Sequence, residues 1–176
     1  MRIVLRIIFL SLLCMPVRGQ QVKQYSFKHF SVSNGLLSNT VSAVIQDHEG
    51  YMWMATIDAL QRYDGISFIA FKNQPGNPFS IPADHIISMF VDSKKNLWLI
   101  GDNSRVGIFD TKHFVFREVN MPAEKSAYYI PQSFLEMETG QLLIQKSDGN
   151  LLRYEASNNR FVSDTDVLPC PVKWTR

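Results

Sequence analysis

The side chains best able to do chemistry are few and scattered. His29, His48, His85 and His113 are the only histidines in 176 residues. No two of them are spaced to share a metal on one strand or helix, so they read as strand-end and turn residues. Asp47-His48-Glu49-Gly50 places two carboxylates in four residues with one glycine, which falls short of a calcium-binding loop. A hairpin turn accounts for it, with Asp47 accepting from a backbone N–H two residues on, and Asp92 repeats that role. No G-x-S-x-G nucleophile elbow and no G-x-x-x-x-G-K phosphate loop is present. Asp58 and Asp102 are left as the carboxylates that a glycoside-cleaving or eliminating enzyme would set at strand ends, against the alternative of solvent-facing loop charge. No catalytic residue, metal ligand or cofactor is expected from these patterns.

Charge and the first twenty residues narrow the class further. The chain carries 18 Lys and Arg against 16 Asp and Glu. Three of the cations, Arg2, Arg6 and Arg18, lie before residue 21, and without them the net charge becomes −1. A nucleic-acid partner therefore has no electrostatic basis. Arg2 and Arg6, the apolar Ile7 to Cys14, and Pro16 to Gln20 as a breaker followed by a cleavage region predict a signal peptide over about 1–20, hence an exported, periplasmic protein. Only Cys170 then remains beside the lost Cys14, so neither an internal disulfide nor a thiolate metal site is available.

The positions of these residues follow from an internal repeat. Ile45-Gln46-Asp47-His48-Glu49-Gly50-Tyr51-Met52-Trp53-Met54 aligns with Phe90-Val91-Asp92-Ser93-Lys94-Lys95-Asn96-Leu97-Trp98-Leu99 at a constant shift of 45 residues. A third, degenerate copy follows, in which Leu142-Leu143-Ile144 answers Leu97-Trp98-Leu99 and Gly140 again precedes the apolar triplet. Each unit holds short β-branched and aromatic runs divided by turn signals such as Asp64-Gly65 and Ser147-Asp148-Gly149. The first unit predicts strands at about Val41–Gln46, Tyr51–Thr56, Leu60–Tyr63 and Ser67–Phe71. Four strands in a 45-residue unit without helices is the signature of a β-propeller blade. A lone blade cannot bury its own apolar faces, so Trp53 and Trp98 are expected on second strands, packed between blades rather than offered to a ligand.

The expected architecture is all-β: a partial β-propeller of about three four-stranded blades at about 37–72, 82–118 and 128–163, with the next blade beginning at about 170–176. Phe27-Lys28-His29-Phe30 resembles the outer-strand run Phe68-Ile69-Ala70-Phe71, which predicts an N-terminal outer strand at about 25–31. Closed propellers hold roughly four to eight blades, so the expected partners are the remaining blades of a longer chain or copies of this one, with exposed edges as the liability otherwise.

Gly35-Leu36-Leu37-Ser38-Asn39-Thr40-Val41, Asp47-x-x-Gly50-x-x-Trp53-x-Ala55-Thr56 and Leu60-x-Arg62-Tyr63-Asp64-Gly65 together resemble the two-component-regulator propeller repeats. The resemblance runs from residue 25 to about 155 and departs at Ala59, Gly101 and Leu143, where a glycine, a threonine and a tryptophan are usual. It implies the periplasmic sensor of a Bacteroides-type hybrid two-component histidine kinase with seven-bladed propellers, commonly responding to oligosaccharides. The kinase, receiver, DNA-binding and membrane segments that it also implies are not in this sequence. For an oligosaccharide ligand, aromatic faces on loops are the expected platform, and Tyr128-Tyr129 before the third unit are the candidates. A self-assembling propeller scaffold and a propeller glycosidase or lyase are the alternatives.

Overall fold

The computed structural model describes residues 25–122 and 130–163. These form three four-stranded antiparallel sheets, each a simple meander. Blade 1 comprises β1 (Val41–Gln46), β2 (Met52–Thr56), β3 (Leu60–Tyr63) and β4 (Phe68–Phe71). Blade 2 comprises β5 (Ile86–Val91), β6 (Leu97–Gly101), β7 (Val106–Asp110) and β8 (Val115–Glu118). Blade 3 comprises β9 (Pro131–Glu136), β10 (Leu142–Lys146), β11 (Leu151–Glu155) and β12 (Arg160–Ser163). The first two strands of successive blades start 45 residues apart, as the repeat predicts. The sheets are open and stack face to face, which is a partial β-propeller.

Burial between blades explains the composition of each second strand. A sheet covered on both faces needs apolar residues at every position rather than alternation, and β6 in the middle blade is buried at all five. Trp53, Leu60, Ile86, Leu97, Leu99, Phe109 and Phe116 form the core between blades 1 and 2. Trp98, Ile100, Phe134, Leu142, Ile144 and Phe161 belong to the one between blades 2 and 3. Both tryptophans are essentially inaccessible, at 0% and 1%.

Each buried indole is latched by the aspartate of its own hairpin. Trp53 Nε1 donates to Asp47 Oδ2 at 2.7 Å, and Trp98 Nε1 donates to Asp92 Oδ2 at 2.8 Å. Asp47 Oδ1 also accepts from the backbone N–H of Glu49, the expected bond two residues on, and from that of Tyr51. Asp92 differs in detail. Its Oδ1 accepts from the backbone N–H of Asn96, as Asp47 does from Tyr51, but its Oδ2 also accepts from the Asn96 side-chain amide, because asparagine stands where blade 1 has Tyr51. Gly50 and Gly140 meet this turn with positive φ, and the equivalent position in blade 2 is Lys95, at φ 71.

The departure at Gly101 has a steric cause. A β-carbon there would lie 2.8 Å from Asn103 Oδ1 and 3.1 Å from Ala83, on the connection that runs across the end of blade 2.

The outer strand expected at 25–31 is not formed; strands need a partner edge, and no described strand pairs with these residues. Instead, the segment folds over the first face of blade 1. Phe30 packs edge-on against Tyr63 and Phe68 at 4.9 and 5.6 Å, beside buried Leu36, Met54 and Tyr63. Gln61 fastens it, accepting from Leu37 N and donating to Gly35 O. The predicted signal peptide, Cys170 and the start of a further blade lie outside the described residues.

Candidate functional site

The meander gives each blade two ends, and inter-blade bonds align them. Ser42 Oγ donates to Ile86 O at 2.6 Å, joining the starts of β1 and β5. At the opposite end, Ser93 N and Oγ donate to Glu136 at the close of β9. One end therefore collects the inter-blade connections and the β2–β3, β6–β7 and β10–β11 turns; the other collects the remaining hairpin turns.

At the connection end a backbone bond recurs, in which Ile57 N, Asp102 N and Ser147 N donate to Thr40 O, His85 O and Ile130 O respectively. Only the second blade carries titratable side chains at both positions. His85 Nδ1 lies 3.7 Å from Asp102 Oδ2 with both partly exposed, a distance beyond a hydrogen bond. Asp58 is exposed in the β2–β3 turn, its backbone N–H donating to Thr56 Oγ1. Asp58 and Asp102 thus sit at equivalent turns of different blades, each beside its own local partner. Tyr128 and Tyr129, the sequence candidates for a ligand platform, lie outside the described residues.

The histidines do not converge. His29 lies in the N-terminal segment, His48 in the β1–β2 turn, His85 before β5 and His113 in the β7–β8 turn. Among the described residues no cluster of three or more His, Cys, Asp or Glu is placed to hold a metal. His113 instead serves Asp110, which also receives Arg117 Nη2 at 3.1 Å and the backbone N–H groups of Lys112 and His113. Hydrogen bonding from the His113 ring, then from its backbone, lowers the Asp110 carboxyl to about 2.

Three of the clefts on the described surface bear on a functional site. One, of about 330 Å³, lies on the outer rim between β4, the 72–85 connection and β8, and is lined by Phe71, Phe79, Phe109 and Phe114 with the polar Gln74 and Asn77. Phe79 is 61% exposed there. The Asn77 side chain is held on both sides, donating to Gln74 Oε1 and accepting from Phe79 N. Sugars are bound by such a pairing of an open aromatic face with fixed amides, which makes this rim cleft the candidate site. Sequence reading missed it. Phe79 carries no repeat signal, and only its 61% exposure separates it from the core phenylalanines.

The second cleft, also about 330 Å³, lies between blades 1 and 2 at the turn end and includes His48, Lys94, Lys95, Asp110, Lys112 and Arg117. The third, about 510 Å³, occupies the corresponding place between blades 2 and 3, where Lys94, Arg153 and Glu155 contribute.

Repeat, sheet order and inter-blade cores define the class: these are blades of a β-propeller. Residues 35–58, which span β1 and β2 of blade 1, match the family model of the two component regulator propeller. The chain is similar to histidine kinase P4 of Formosa agariphila, with 32% identity over 78 residues, which is 44% of this chain and 6% of that protein. It is thus a small fraction of the length of the curated relative it matches. The fold is similar to that of the extracellular domain of a B. thetaiotaomicron protein described as a one-component system, with a TM-score of 0.58 at 16% identity, over 82% of this chain and 21% of that one. It is also similar to virginiamycin B lyase from Staphylococcus aureus, with a TM-score of 0.52 at 16% identity, over 72% and 42%. At such identities the two structures speak to the fold.

Proposed function

We propose that this chain is part of an exported, periplasmic sensor propeller in a hybrid two-component histidine kinase, that its role is to bind ligand rather than to catalyse, and that its ligand is an oligosaccharide. The observation that carries the reading is the match of residues 35–58 to the two component regulator propeller. The likeness to a histidine kinase and to the extracellular domain of a one-component system supports it. The residue pattern at 1–20 supports export, and among the described residues no helix is long and apolar enough to cross a membrane.

The rim cleft supports the ligand class. Phe79 offers a ring face, Gln74 and Asn77 offer amides, and the Asn77 amide is locked by its neighbours, so little order is lost when a sugar docks. The test is signalling by the protein as the cell makes it, measured as autophosphorylation or target transcription against a panel of oligosaccharides. Phe79→Ala is expected to blunt the response to one member of the panel while protein abundance stays unchanged. A response to no member of the panel, or one untouched by Phe79→Ala, would sink the ligand assignment.

A further inference from the structure

We infer that the cleft between blades 1 and 2 is an anion-binding site that takes the carboxylate or sulfate group of an acidic oligosaccharide. The saccharide half of this statement rests on the sensor reading above; the anionic half rests on the cleft.

Charge is the first ground. Lys94, Lys95, Lys112 and Arg117 line the cleft against one carboxylate, Asp110. Asp110 is already engaged by His113 and Arg117, so it leaves lysines around a concave surface. This concentration stands out in a chain whose residues beyond 20 carry a net charge of −1. The corresponding cleft between blades 2 and 3 is differently composed, because Glu155 lines it and pairs with Arg153 and Arg160. Repetition of the fold therefore does not explain the basic character; the side chains of one junction do.

Backbone conformation is the second ground. Lys95 holds φ 71 where Gly50 and Gly140 occupy the same place in the neighbouring blades. A residue with a β-carbon is disfavoured there and glycine is not. This left-handed turn sets Lys95 in the lining of the basic cleft, where glycine would be the less strained residue.

Contiguity with the rim cleft is the third. Phe114 lines the rim cleft, and Phe109 lines both the rim cleft and the basic one. The two clefts flank the same β7–β8 hairpin. A sugar against Phe79 thus has a neighbouring place for a charged substituent or an adjoining acidic residue.

The experiment is calorimetric titration of the full chain with three oligosaccharides of equal length, one carrying uronate carboxylates, one sulfated and one neutral, and with inorganic sulfate. Lys95→Gly copies the other two blades and so keeps the turn, and Lys112→Ala provides a second variant in a different hairpin. An acidic oligosaccharide should bind more tightly than the neutral one, and each variant should weaken it by up to about fivefold, the range of single exposed charges. Whichever acidic probe binds identifies the anion. Equal binding of the neutral probe, or acidic binding unchanged in both variants, would overturn the inference while leaving the sensor reading intact. Inorganic sulfate bound in a Lys95-dependent way, with no oligosaccharide of any charge bound, would keep the anion site and overturn the saccharide ligand.

Discussion

Blades 1 and 2 hold their second strands with a hydrogen-bonded pair, Asp47 with Trp53 and Asp92 with Trp98, whereas blade 3 has Met137 and Leu143 at the same positions, the first exposed and the second buried. Both polar partners are lost together. A buried indole N–H without an acceptor, or a buried carboxylate without donors, costs far more than replacing the pair by two apolar side chains. The third blade therefore shows which part of the repeat is dispensable. Its strands, register and packing survive the loss of the latch, so the meander and the inter-blade core carry the blade, and the latch fixes how tightly each hairpin turn is held to it.

That contrast can be broken most forcefully at the middle blade. Trp98→Ala should lower stability by about 3–5 kcal/mol in a denaturant melt, since it opens a cavity between two blades and strips Asp92 of a donor. Asp92→Ala alone should cost about 1–3 kcal/mol by leaving the indole N–H buried and unpaired. The double replacement Asp92→Met with Trp98→Leu, which copies blade 3, should cost less than the sum of its single changes, and strict additivity in that double-mutant cycle would count against the latch. Lys95→Gly should raise stability by up to about 1 kcal/mol, because it relieves a left-handed lysine. The same change is expected to weaken anion binding, so stability and function should move in opposite directions.

The smallest effect concerns pH. The Asp110 carboxyl is lowered from 3.8 to about 2, so its contribution is fully present above its unfolded value and is lost as pH falls through about 2. Asp110→Asn should accordingly cost less than about 1 kcal/mol at pH 7, given its exposure. The difference from wild type should close between about pH 4 and pH 2 in parallel melts.

The 45-residue period made most of the blade plan readable, because a repeated fold writes its register into the spacing of Trp53 and Trp98 and of Gly50 and Gly140. Turn chemistry was also legible at Asp47, whose Asx bond is local. What was not legible depended on contacts between distant residues. Phe27-Lys28-His29-Phe30 has a strand-like composition, but strand formation is decided by a partner edge, and Phe30 found the rings of Tyr63 and Phe68 instead. The indole end of the Asp47 latch was hidden because it joins the hairpin turn to a side chain on β2, a contact set by the fold of the hairpin. Phe79 and Lys95 are unremarkable in the sequence, since an exposed ring and a left-handed backbone are properties of the folded surface.

The segment tied down by Gln61 also bears on how the molecule comes into being. In blade 2 the face bearing Leu97, Leu99 and Phe109 is covered by blade 1, so it must wait for a neighbour. In blade 1 much of the same face is covered by Phe30 and Leu36, residues synthesised before the blade itself. A chain growing from its N-terminus can therefore close that surface as soon as β4 is made. The first blade then offers later ones a surface to fold against, and that apolar face is shielded from the association that threatens growing chains.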